Sequence, residues 1–341
     1  NIIDSRLTFG LYNIQGGYFN EAKEALEPIV DLAVKHGDKR RLSQIYTILG
    51  TYSLVSQEDY PKAFEYLQEA LKIAEELKDF VTLWVASHWM GHALAENCEF
   101  ESALSYLEKD LKISASANIL WSISIMKSCI AMNVYCFQGK ANLAYQTSHE
   151  GLKLAEESVD TLSKAEAYTS CGFSSYLKGF LDEAERHLVK GIAFSERINF
   201  SGLGVLASIF LGEAYFERRD YQNSQHYYNK SISLLEQSRI LPSRINLGKI
   251  LLARAKVMSN DKAVNLDSLY ECAKQNKVKL QEGLVSGGIG HILMNIEGDH
   301  IVESEHWIQK AIEADQRNRM MFHLGKDYAL YAESVSYTHL R

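Results

Sequence analysis

The string His88-Trp89-Met90-Gly91-His92 sets two imidazoles at i and i+4, so both project from one face of a helix at a separation that can chelate a transition metal. A zinc protease of the His-Glu-x-x-His type needs a glutamate directly after the first histidine as its base, and Trp89 stands there instead. Glu96 continues the same face, which makes a His88, His92, Glu96 trio geometrically possible; surface or groove histidines are the plainer reading, and no metal is assigned. Ser286-Gly287-Gly288-Ile289-Gly290 is rich in glycine but lacks the Lys-Ser/Thr ending of a phosphate loop and follows no strand. No Gly-x-Ser-x-Gly elbow occurs. The chain therefore reads as a non-enzyme that needs no cofactor.

Composition points the same way. The 341 residues are 46% hydrophobic and 23% charged, enough for a substantial core, and longer than the roughly 250–300 residues at which a single core stops growing. Two domains or a repeat array follow. Only Pro28, Pro61 and Pro242 interrupt a chain in which Ala, Leu, Glu, Lys and Ser dominate, which favours an all-α fold. A net charge of −7 argues against nucleic-acid binding, which needs a clustered basic surface. Arg239, Arg244, Lys249, Arg254, Lys256 and Lys262 do crowd one segment, and are read as a solvated face. Cys98, Cys129, Cys136, Cys171 and Cys272 form no Cys-x-x-Cys pair and are read as reduced thiols of a cytoplasmic protein. No apolar run approaches the ~18–20 residues that span a bilayer.

The positioning elements emerge from self-similarity. Gly10, Gly50, Gly91, Ala131, Gly172, Gly212, Ala253 and Gly290 recur in apolar surroundings at intervals of 40, 41, 40, 41, 40, 41 and 37. A mid-helix glycine costs about 1 kcal/mol relative to alanine, so a closely approaching helix is expected at each, with the packing of adjacent pairs depending on it. About twelve residues after each small residue a second helical pattern starts, as in Pro61-Lys62-Ala63-Phe64-Glu65-Tyr66-Leu67 and Asp182-Glu183-Ala184-Glu185-Arg186-His187-Leu188. Short turns such as Lys178-Gly179-Phe180 separate the two. Each unit is thus helix A, turn, helix B, with about 16–18 residues per helix. Neither helix can bury its apolar face alone, so stacking on the next pair supplies the core.

Leu49-Gly50-x-Tyr52 and Leu211-Gly212-x-x-Tyr215 in helix A, followed by Ala-x-x-Tyr/His-Leu in helix B, resemble tetratricopeptide repeats. The resemblance runs over about residues 3–333, and departs from the family in its period of about 40 rather than 34 and in lacking the repeat-closing proline. It is similar to the C-terminal repeat arrays of bacterial multidomain signalling proteins, of the adenylate cyclase/ATPase or maltose-activator type. It implies a right-handed α-solenoid of about eight helix pairs plus a partial ninth. The units fall near 3–40, 41–81, 82–121, 122–161, 162–201, 202–241, 242–279, 280–317 and 318–333. The seventh is the least regular, with a break expected near Ser259-Asn260-Asp261, and 334–341 reads as a non-native or disordered tail. Beginning at Asn1 with no initiating Met, the chain reads as a piece of something longer.

In such a solenoid helix A lines the concave groove. Partner contacts are expected at His92, Met132, Tyr135, Phe173, Tyr176, Glu213, Phe216, Glu217 and Arg254, with aromatics as anchors and charges setting orientation. The same aromatic stripe is also what a core looks like. The function that follows is a protein-interaction scaffold, the regulatory segment of a larger bacterial signalling protein, binding a protein, a peptide or another domain of its own polypeptide. The alternative is a small-molecule sensor arm controlling an attached ATPase or nucleotide cyclase.

Overall fold

The computed structural model describes residues 2–15 and 17–339, and every regular element among them is helical. The first pair is α1 (Ile2–Gln15) with a B helix that Pro28 splits into α2 (Phe19–Leu26) and α3 (Val30–Lys35), because proline cannot continue the ladder. Then come α4 (Lys39–Val55) and α5 (Tyr60–Leu77), α6 (Phe80–Glu96) and α7 (Phe100–Ser116), and α8 (Leu120–Cys129) and α9 (Ala141–Ser158). They are followed by α10 (Thr161–Leu177) and α11 (Leu181–Arg197), and by α12 (Ser201–Glu217) and α13 (Tyr221–Ser238). The seventh pair is α14 (Pro242–Met258) with the short α15 (Leu266–Lys274), the eighth α16 (Glu282–Asn295) with α17 (Ile301–Arg317), and α18 (Met321–His339) stands without a B helix. The helices form a right-handed α-solenoid. α18 is continuous through 334–339, and Leu340 and Arg341 lie outside the described residues.

The turns explain the regular beat. Asp38, Asp59, Asp79, Asp160 and Asp220 each cap the following helix by accepting a hydrogen bond from a backbone N–H three residues on. Gly50, Gly91, Gly172, Gly212 and Gly290 meet helix B of their own unit rather than the adjacent pair, and Gly10 meets both its own Leu26 and Ile48 of the next unit. A Cβ on Gly172 would sit 2.4 Å from Leu188, and one on Gly212 2.6 Å from Tyr228. The close approach is therefore what holds each hairpin shut. The glycines of α16 serve packing too: Gly283 faces the Asp315 carboxyl and Gly290 faces Ile308.

The array winds tightly enough to meet itself. Leu241 N–H donates to Val55 O at 2.8 Å, and the Ser243 N–H and hydroxyl both donate to the Glu58 carboxylate. Lys277 Nζ reaches Gln57 O at 3.2 Å. The start of the seventh pair is thus bonded to the turn of the second, across 185 residues of sequence. α18 closes on the middle of the array, with Phe322 edge-on to Tyr176 and His323 stacked on Phe137. A single hydrophobic cluster of buried side chains runs from Ile3 to Met320.

Candidate functional site: the inner wall

Along the inner wall the A helices present two polar clusters. In the first, His88 and His92 on α6 face Cys129 at the end of α8 and Glu166 on α10. The Cys129 Sγ lies 4.0 Å from His88 Nδ1, 3.8 Å from His92 Nε2 and 3.4 Å from Glu166 Oε1. The i,i+4 pair behaves as its spacing requires, with ring centroids 4.6 Å apart. Immediately after Cys129 the helix widens into a π-helical segment, Ile130–Cys136, which turns Asn133 so that its amide is 3.4 Å from His92 Nδ1. Burial dominates the electrostatics of this cluster. It lowers His92 to about 4, helped by the Arg244 charge, and with the neighbouring His92 it lowers His88 well below its ordinary range. It raises Glu166 to about 7 and pushes the Cys129 thiol up. Glu96 does not join the histidines: it accepts from Tyr60 at 2.9 Å and from Arg244 at 2.9 Å.

The second cluster is charged and self-paired. Arg254 on α14 bonds the Glu213 carboxylate on α12, which also accepts from the Tyr228 hydroxyl. The guanidinium lies over Phe216, 3.9 Å from the ring centroid. Lys326 on α18 bonds Tyr176 and Glu217 and comes within 3.9 Å of Glu213. Burial by itself would raise the Glu213 carboxyl, but the Arg254 and Lys326 charges and the two hydrogen bonds hold it below its ordinary value. Nearby, burial lowers His291 and His323 each to about 3, the Arg254 and Lys326 charges adding to the effect.

Not every groove residue read from the sequence offers surface. Phe173 is 1% exposed, stacked on Phe210 at 3.7 Å, and Met132 is also 1% exposed, so both are core. Tyr176 is buried under Phe322 and Lys326. Tyr135 and Phe216 are half-buried and Glu217 is exposed. The basic segment is only partly a solvated face, because Arg244 and Arg254 point inward and pair with Glu96 and Glu213. A cavity of about 60 Å³ adjoins the second cluster, lined by Phe173, Tyr176, Phe210, Glu213 and Leu247 among others.

Pattern reading named His88 but set Glu96 beside it; Cys129 and Glu166 are one and two repeats further on. Their signal was present only in the repeat register, since Cys129 sits two residues before Ala131 and Glu166 six before Gly172. Lys326, Glu58 and Arg244 gave no local sign of a role, because their partners lie 109 to 185 residues away.

A tetratricopeptide repeat family matches residues 207–236, which are the later part of α12 and most of α13. The solved structures agree over nearly the whole chain. The Rap conjugation gene regulator of plasmid pLS20, in complex with the Phr* peptide, superposes with a TM-score of 0.66 at 14% identity, covering 94% of this chain and 96% of that one. The fold is that of a tetratricopeptide-like repeat array. A Rap protein complexed with Competence and Sporulation Factor gives 0.59 at 14% identity, with 98% of both chains covered. At these identities the likeness of the repeat protein to the Rap structures is one of fold. No curated protein matches it in sequence. No helix among the described residues is long and apolar enough to cross a membrane.

Proposed function

We propose that the repeat protein is a protein-interaction scaffold, the regulatory segment of a larger bacterial signalling protein, and that it takes a peptide or partner helix against the wall built by Tyr176, Glu213, Phe216 and Glu217. The observation that carries this reading is the seating of α18. Phe322 and Lys326, one helical turn apart, lie against Tyr176 and the two glutamates, so the wall already holds a helix that presents an aromatic ring and an ammonium on one face. An external occupant of the same chemistry would compete for the same contacts. The Phr* peptide and the Competence and Sporulation Factor in the two Rap structures support a peptide or protein as the class of occupant for this fold. The void beside Tyr176 and Glu213, about 60 Å³, is smaller than the ~300–1,000 Å³ of typical small-molecule pockets, so this stretch of wall suits a peptide or helix laid against it. Binding rather than catalysis is the activity.

The test is selection of peptides from a displayed library on the immobilised full chain. Enriched peptides carrying an aromatic residue and a lysine or arginine four apart, with binding lost in Glu217→Lys, support the reading. A library that enriches nothing, or peptides indifferent to that charge reversal, overturns it.

A further inference from the structure

We propose that His88, His92, Cys129 and Glu166 form a metal site for zinc or a similar borderline-soft divalent cation, clamping three successive A helices on the inner wall. Three of the four donors already form a compact group, and Glu166 joins it through the Cys129 sulfur. Zinc bound to one thiolate and to nitrogen or oxygen ligands at ordinary bond lengths holds the sulfur about 3.6 Å from each other donor atom. Here the three separations from Cys129 Sγ are 3.4, 3.8 and 4.0 Å. The donor atoms of His88, His92 and Cys129 all lie within 4.8 Å of one another.

Two further observations point to a ligand. Glu166 is 6% exposed and aimed into the cluster, where its hydrogen-bond partner is the Cys129 thiol and no cation among the described residues pairs with it. A carboxylate buried without a countercharge is costly, and two neutral imidazoles, one thiolate and one carboxylate around a dication sum to zero. On binding, the S–H bond breaks and an S–metal bond forms, the thiol proton and any carboxyl proton leaving to bulk water. The π-helical segment after Cys129 is an irregularity that the repeat does not require, and it brings Asn133 to His92 Nδ1. With its amide turned so that the oxygen faces the ring, Asn133 accepts from Nδ1–H and leaves Nε2 free for the metal. A second grouping, His149, Glu183 and His187 on α9 and α11, differs in that its glutamate is already bonded by Tyr145 at 2.9 Å and His149 at 3.1 Å.

The experiment uses the full chain, reduced and stripped with chelator, and titrated with cobalt(II) chloride alone and then with zinc chloride. The expected result is a sulfur-to-cobalt charge-transfer band and tetrahedral visible bands saturating at one equivalent, displaced by zinc. Cys129→Ser should abolish the charge-transfer band, and His92→Gln and Glu166→Gln should each weaken zinc binding by at least roughly tenfold. His149→Gln should leave every signal unchanged. Absence of the band in the parent chain, its survival in Cys129→Ser, or its loss in His149→Gln overturns the proposal. Should Cys129→Ser not fold by circular dichroism, the parent band together with its persistence in Cys98→Ser, Cys136→Ser, Cys171→Ser and Cys272→Ser decides the matter.

Discussion

The inner wall carries polar residues at equivalent repeat positions in two stretches that solve the problem of buried polarity differently. His92, Glu213 and Arg254 each follow the small residue of their unit by one. In the later units the position is filled by opposite charges, and Glu213, Arg254 and Lys326 neutralise one another while Tyr176 and Tyr228 fill their remaining hydrogen-bonding capacity. In the earlier units it is filled by His92, whose neighbours His88, Cys129 and Glu166 supply donors and acceptors without a countercharge. The comparison teaches that one stretch is finished by the chain itself and the other is left for something to complete. The first stretch locks the superhelix; the second is where an added ion would lock it further.

The sharpest way to break this contrast is to remove one carboxylate from each stretch. Glu213→Ala strands the Arg254 guanidinium in a buried position and should cost about 3–5 kcal/mol of unfolding free energy, measured by denaturant titration. Glu166→Gln in the metal-free chain should cost less than about 1 kcal/mol, since no ion pair is lost there. Equal losses would erase the distinction. Next in size is Glu58→Ala, which leaves the Ser243 N–H and hydroxyl without their acceptor and should cost about 1–3 kcal/mol, with a measurable rise in the scattering radius as the ring loosens.

A pH series sharpens the contrast at the closing end. Asp315 and Asp327 face each other beneath Gly283 and Gly287, and burial raises the pair, to about 9 and about 7, with the neighbouring Asp327 charge adding to the shift of Asp315. Folded values above the unfolded one mean stability that is complete below pH ~4 and is lost as pH rises toward those values. Tm should therefore fall between about pH 5 and pH 9, and Asp315→Asn should flatten that fall; an unchanged slope would remove the pair from the account. The smallest effect is expected for Arg319→Ala. Its bridge to Glu101 spans the closure, but both side chains are about 70% exposed, so less than about 1 kcal/mol should be lost.

Much of the fold was legible because it is local. The forty-residue beat of Gly50, Gly91, Gly172 and Gly212 reports a steric requirement within one hairpin, and Leu67 or Leu188 sits about seventeen residues on to meet it. The Ser259-Asn260-Asp261 break marks an irregular second helix for an equally local reason, whereas the split at Pro28 was not read from the sequence. The site was legible only in part. The spacing of His88 and His92 is intrinsic to a helix, whereas the third partner depends on how adjacent A helices slide and rotate, and the π-helical turn after Cys129 changes that register without a pattern to announce it. The pairing of Glu58 with Ser243 or Lys326 with Glu217 depends on superhelical pitch, the accumulated result of small rotations at every unit. The aromatic stripe also had two readings, and for Phe173 burial decides in favour of core, as it does for its neighbour on the wall Met132.

The central claim is that the solenoid closes, with α18 seated on the fifth and sixth units. A zero-length carbodiimide couples an ammonium to a carboxylate only when the two are in contact, and Lys326 and Glu217 are in contact and both more than a third exposed. Mass spectrometry of the treated native chain should find the Lys326 to Glu217 cross-link at a yield comparable to the neighbouring-helix pairs Lys127 to Glu150 and Lys230 to Glu196. Efficient coupling of those two pairs with none at Lys326 would contradict the closed solenoid.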